Sequence, residues 1–267
     1  MENNSPVVDS DILQIDKYEP HKVANGKNDA TLFVASDDID MADLQRYQQQ
    51  TQTDYLIAIN GTGKDSKCLK LADNVITCLP NEIQLAMLSF KSLVLAGGFI
   101  GFDWNDIKTA ITNRKHIQFI QGYATDKDYV ANACDKIIAK LHAVKSDFFL
   151  KAVMVNTLAD NRFGFDQLEY ITERLQENLN IDPANIFYQL CWFDEFNYWK
   201  KYEQGCCICM FLIYADEEND INPVSIEHDK SMKSTNLTQK QPIQFKTILD
   251  GNNIIKNHNE CENHRKF

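Results

Sequence analysis

From His116 to Tyr214 apolar runs of strand length alternate with segments of helical period, and this alternation restricts the fold more than any other feature of the sequence. Strands are expected at His116 to Tyr123, Phe148 to Asn156, Ile186 to Phe193 and Cys206 to Tyr214, and helices at Asp126 to His142 and Gly164 to Glu177. In the first helix Val130, Cys134, Ile137, Ile138 and Leu141 follow at i, i+4, i+7, i+8 and i+11, which places all five on one face. Such helices pack on one side of a sheet. Because the series ends in two successive strands, it suits a compact α+β layer rather than a purely parallel sheet.

Upstream, the first 29 or so residues are polar, carry Pro6, Pro20 and Gly26, and show no sustained period, although Ile12 to Ile15 suits a short strand. Thr31 to Ser36 and Asp54 to Asn60 read as strands around a helix at Met41 to Gln50, a parallel β-α-β unit. A long helix is expected from about Ser66 to Ala96, with Leu69, Ala72, Val75, Ile76, Leu79, Ile83, Met87 and Leu88 on its apolar face and a bend or break at Pro80. Gly97 and Gly98 close it, and the turn Phe99-Ile100-Gly101-Phe102 leads to another helix beginning near Asp103. Beyond about Asp216 polar residues dominate, and a mobile tail is expected.

The 267 residues are 44% hydrophobic, enough for a substantial core. A net charge of -11 has the same sign as phosphate backbones and anionic lipids, so nucleic acid is not an expected partner. No apolar run approaches the roughly 20 residues that cross a bilayer. Met1 to Ser5 has no signal-peptide character, so a cytoplasmic location without direct membrane insertion is expected. The eight cysteines sit mostly in apolar segments, as reduced buried thiols do. In Cys206-Cys207-Ile208-Cys209 an extended chain sends Cys206 to one face and the other two thiols to the opposite face; with no second ligand pair, no metal is expected.

Asn60-Gly61-Thr62-Gly63-Lys64-Asp65-Ser66 lies where a phosphate-binding loop would belong, after a strand. It lacks the pattern: Ala58 stands where the leading glycine is required, and Asp65 follows the lysine in place of a magnesium-binding hydroxyl. It reads as a polar turn capping the next helix. Asp103-Trp104-Asn105-Asp106 opens a helix, with two carboxylates three apart at the positive end of the helix dipole. Capping explains them; a catalytic role would be to orient a water beside a phosphate supplied by another molecule. His116 and His142 have no partner at metal-ligand spacing, and no Ser-His-Asp or Cys-His set stands out.

Gly98-Phe99-Ile100-Gly101-Phe102-Asp103-Trp104-Asn105-Asp106 resembles the synergy loop of FtsZ, the bacterial tubulin-like division protein, with Gly101 where that family has Asn. Leu69 to Val75 resembles the start of the family's central helix. Gln121-Gly122-Tyr123-Ala124, Ala152 to Thr157 and the last two strands resemble, in order, pieces of its C-terminal domain. The resemblance covers roughly residues 30 to 216. It implies an α/β, partly tubulin/FtsZ-like fold: a polar segment 1–29, a remnant β-α-β unit of the nucleotide-binding domain at 30–65, a central helix at 66–97, a C-terminal α+β domain at 98–216 and a tail at 217–267.

In that family GTP sits on one subunit, and the synergy loop of the next completes the hydrolytic site. By resemblance Asp103 and Asp106 are the acidic catalytic positions, acting in trans. Gly98, Gly101, Phe102 and Trp104 are interface positions, and Asp73 is the position that contacts guanine. The glycine-rich loops that wrap the phosphates are absent from the sequence. The resemblance therefore implies a non-enzymatic protein without its own cofactor, whose partner is FtsZ or another copy of itself, which caps or modulates filaments at the division site. The alternatives are a divergent GTPase that binds GTP and polymerises, and a non-functional relic.

Overall fold

The computed structural model describes residues 15–95, 103–114, 116–144, 148–160, 162–192 and 205–215, all within one compact unit. In chain order the elements are β1 (Ile15–Lys17), β2 (Ala30–Val34), α1 (Met41–Thr51), β3 (Tyr55–Asn60), β4 (Asn74–Thr77), α2 (Ile83–Leu95), α3 (Trp104–Ile111), β5 (His116–Ala124), α4 (Tyr129–Ala143), β6 (Phe149–Ala159), α5 (Phe165–Asn178), β7 (Ile186–Trp192) and β8 (Cys206–Ala215). The strands form one sheet in the order β1-β2-β3-β4-β5-β8-β6-β7. β1 to β5 are parallel neighbours. β8 runs antiparallel between β5 and β6, and β7 lies parallel to β6 on the outside. The fold is therefore α/β with a mixed sheet, and β8 is the strand that keeps it from being purely parallel.

The expected helix over Ser66 to Ala96 is not one element. Lys67–Leu71 is a 3-10 turn, β4 follows at Asn74–Thr77, a second 3-10 turn takes Pro80–Glu82, and only Ile83–Leu95 is α-helical. The cause is local. Val75, Ile76 and Thr77 are β-branched, and β4 buries Val75 and Ile76 in different clusters on opposite faces of the sheet. Pro80 then holds Leu79 extended, at φ -72 and ψ 152. The segment expected to separate two domains thus supplies the strand that joins β3 to β5. The turn at 97–102, with Gly98, Gly101 and Phe102, lies outside the described residues, as does the tail.

Each face of the sheet has its own packing. α2 and α3 cover one face through Ala86, Met87, Phe90, Leu93, Ile107 and Ile111, against Ile57, Ile76, Phe119 and Phe211. On the other face α1 and the 67–71 turn cover Phe33, Leu56 and Ala58, while α4 and α5 cover Ile120, Val153, Val155 and Met210. Since β2 to β5 succeed one another in parallel, the connection from β4 through α2 and α3 to β5 has the opposite hand to the one through α1, a rare arrangement. α4 lies so close to β5 at Gly122 that an added Cβ would strike the Ala133 carbonyl and the Ile137 amide.

Candidate functional site

Asp103 is the exposed N-cap of α3, and it forms a reciprocal capping box with Asp106. The Asn105 and Asp106 amides donate to Asp103 Oδ1 at 2.8 and 3.0 Å, and the Asp103 amide donates to Asp106 Oδ2 at 3.0 Å. Among the described residues Asp103 Oδ2 and Asp106 Oδ1 keep their acceptor sites open, so the pair can cap the helix and still orient a donor from outside. Trp104 turns inward, edge-on to Tyr55 with ring centroids 5.6 Å apart, and its indole N–H is buried without a partner among the described residues. Tyr55 Oη also bonds Thr112 Oγ1 at 2.9 Å, which fixes both ends of α3 to the first residue of β3.

Asp73 is exposed at the entrance to β4, not at a helix start. Its Oδ2 accepts from the Leu56 amide at 2.7 Å, and its own amide donates to the Leu56 carbonyl at 2.8 Å. Asn74 donates from Nδ2 to the carbonyls of Ile111 and Arg114 at the end of α3. Asp73 and α3 are therefore both tied to the amino-terminal ends of β3 and β4. Sequence reasoning separated them; the sheet brings them to one edge.

At the opposite, carboxyl-terminal ends the chain leaves β3 and β4 toward different faces, the place where an α/β sheet ordinarily opens a crevice for a ligand. Here the crevice is occupied. Asn60 Oδ1 accepts from the Thr62 and Gly63 amides and the Thr62 hydroxyl, and Asn60 Nδ2 donates to the Lys64 carbonyl. Amides committed to a side chain are not presented to a phosphate. Gly61 lies against Ile83 so closely that a Cβ would collide with it. The segment is the polar turn its composition implied, but it does not cap a following helix: Ser66 makes no capping bond.

A charged contact without any sequence signal lies beside this crevice. β4 stops at Thr77, opposite Gln118, while β5 runs on to Ala124. Glu82, 4% exposed, fills the step: it accepts from Lys140 Nζ at 2.9 Å and Gln121 Nε2 at 3.2 Å. The pair is 58 residues apart in sequence and clasps the start of α2 to α4 on the other face. A glutamate just after a proline turn is too common a pattern to have revealed it.

The seven described cysteines are buried packing groups. Cys206 belongs to the α4 and α5 face and Cys207 and Cys209 to the other, as strand alternation requires. Burial pushes the Cys134 thiol up to about 12, and Cys209 together with burial raises Cys207 well above its ordinary value. Among the described residues no group of His, Cys, Asp and Glu could hold a metal ion. His116 stacks on Phe148 at 4.6 Å, and His142 is exposed in the last turn of α4. No described helix is long and apolar enough to cross a membrane.

No model of a known protein family matches the sequence, and no curated protein does. The structure is similar to solved structures of FtsZ and CetZ1. An empty FtsZ dimer from M. jannaschii matches over 70% of this chain and 54% of its own, at 13% identity and a TM-score of 0.43. A mutant of FtsZ from M. jannaschii matches over 70% and 56%, at 12% identity and a TM-score of 0.44. CetZ1 from Haloferax volcanii, a GDP-bound monomer, matches over 70% and 64%, at 9% identity and 0.43. The chain thus matches less than two thirds of the length of each.

Proposed function

We propose that this chain is a non-enzymatic interaction protein of FtsZ type, which presents the acidic start of α3 to the nucleotide-bearing face of an FtsZ subunit and caps or limits its filaments. The observation that carries this reading is the contrast between the two ends of β3 and β4. At the carboxyl end the Thr62 and Gly63 amides serve Asn60, and Ile83 fills the crevice against Gly61. At the amino end α3 is anchored through Tyr55 and Asn74 while Asp103 faces outward. A subunit with a donor end and no receiving end adds to a filament once and stops it. Asp103 Oδ2 and Asp106 Oδ1 are the acceptors that would hold a water against the neighbour's γ-phosphate.

Light scattering of full-length FtsZ with GTP, with this protein added over a range of ratios, tests the proposal. Polymer mass should fall at sub-stoichiometric amounts of the native chain. The control is Asp103→Asn with Asp106→Asn rather than the alanine pair, since asparagine caps a helix about as well as aspartate while alanine costs about 1 kcal/mol at a cap. The asparagine variant should lose the effect and keep the fold. Unchanged assembly at equimolar native protein would sink the capping reading, and GTP binding by the purified chain would favour the enzyme in its place.

A further inference from the structure

Two buried strands carry amides where apolar residues are the rule. Asn156 on β6 and Gln189 on β7 are direct partners in the ladder, and both reach α2. They are 0% and 1% exposed. Met154 and Leu158, which alternate with Asn156 on the same face of β6, are fully buried, so the amides are set into an apolar wall. What they receive is the last turns of α2. Asn156 Nδ2 lies 3.2 Å from the Ser89 carbonyl, 3.2 Å from Ser89 Oγ and 2.6 Å from Ser92 Oγ, and Gln189 Nε2 donates to the Ser92 carbonyl at 3.0 Å. α2 ends at Leu95, so the Ser92 carbonyl is among the last four, which have no partner within the helix. β7 supplies the donor that the helix itself lacks.

The same arrangement leaves two acceptors over. Asn156 Oδ1 and Gln189 Oε1 are buried with no hydrogen-bond partner among the described residues. Turning the amides does not remove the deficit. Gln189 Nε2 must meet the Ser92 carbonyl, which sends Oε1 elsewhere. Reversing Asn156 would set its oxygen against the Ser89 carbonyl and leave an N–H unpaired in place of the oxygen. The hydroxyls divide in the same way. Ser92 donates to the Ser89 carbonyl at 2.8 Å, whereas Ser89 Oγ accepts from Asn156 and keeps its own proton uncommitted among the described residues. The seat of α2 therefore holds two acceptors and one donor still to be matched, in a place where leaving a polar group unmatched is costly.

We infer that this seat is a binding site for one ordered water, which donates to Asn156 Oδ1 and Gln189 Oε1 and accepts from the Ser89 hydroxyl. Neighbouring strands lie about 4.8 Å apart, and both amides converge on Ser92, a span that one water bridges. Two acceptors and one donor are the set a single water satisfies. An ammonium or metal ion would bring an uncompensated charge into an apolar wall. With the water in place the hold of β6 and β7 on the end of α2 is a closed polar network, and the apolar residues around it keep the water from exchanging freely.

A high-resolution crystal structure of the full chain tests the site directly. Density for one water should lie within about 3.2 Å of both amide side chains. The second measurement is oxygen-17 relaxation dispersion in solution, which counts waters held long inside a protein, on the native chain and on Gln189→Met. Methionine keeps the length of glutamine and removes both polar atoms, so the variant should lose about one long-lived water while its circular dichroism spectrum is kept. A dry, closed contact at the seat overturns the inference, and so do two waters that each touch one amide alone. An equal count in the native chain and in folded Gln189→Met overturns it as well. Should that variant fail to fold, the native crystal structure decides.

Discussion

The β1 to β4 half of the sheet and the β5 to β8 half are held by different means. In the first half the strands have three to six residues, and polar side chains bind their ends to backbone or to one another: Asp73 to Leu56, Asn74 to α3, Asn60 across its own turn, Tyr47 to Asp16. In the second half the strands have seven to eleven residues, and every residue of β8 is buried. Short strands bury too little apolar area to define their own ends, so hydrogen bonds define them. Long strands between two helical layers need no such aid. Charge and pH should therefore act on the first half, and lost volume on the second.

Phe211→Ala should give the largest effect. Phe211 is fully buried in β8, with its ring centroid 5.1 Å from Phe119 and 5.7 Å from Phe90, and truncation should destabilise the chain by about 4 kcal/mol in urea unfolding. Lys140→Met tests the junction of the halves. It leaves the Glu82 carboxylate buried without its cation, and about 2 kcal/mol should be lost, less than for a wholly buried pair because Lys140 is 37% exposed. Restoration of most of that loss by adding Glu82→Gln would identify the stranded charge as its source.

Asp73→Ala should cost about 1 kcal/mol, whereas Asp73→Asn, which keeps an acceptor for the Leu56 amide, should cost less. A loss as large as that of Phe211→Ala would erase the contrast between the halves. The smallest effect concerns acid. Burial raises the Asp16 pKa, but hydrogen bonds from Lys22, Tyr47 and the Lys17 amide outweigh it and leave the group below its ordinary value. A depressed carboxylate contributes stability above its unfolded pKa of about 3.9 and loses it as pH falls through the folded value. Stability of the native chain should therefore decline below about pH 4 more steeply than that of Asp16→Asn, by no more than about 1 kcal/mol. Equal slopes would remove Asp16 from the account.

Much of this contrast could be read from the chain. β5 to β8 follow from apolar runs with helical segments between them, because long strands buried on both faces leave continuous hydrophobic stretches. β4 did not stand out: Leu69, Ala72, Val75, Ile76 and Leu79 also suit helical spacing, and four residues are too few to show a period of two. The run Val75-Ile76-Thr77 before Pro80 was the usable sign. The acidic start of α3 was legible because capping is local; the anchoring of α3 to Tyr55 and Asn74 was not, because those contacts span 57 and 37 residues. The contact of Glu82 with Lys140 depends on strand order, which hydropathy does not encode.

The place of β8 governs how the chain can be built. Among the described residues it is the last strand in sequence, yet it lies between β5 and β6, with partners on both sides. During synthesis β5, β6 and β7 emerge with their helices before the strand that joins them exists. An apolar slot lined by Phe119, Val153 and Met154 must stay open until Cys206 to Ala215 arrives. A newly made chain is therefore most exposed to chaperones, and to aggregation, in the interval before its central strand is inserted.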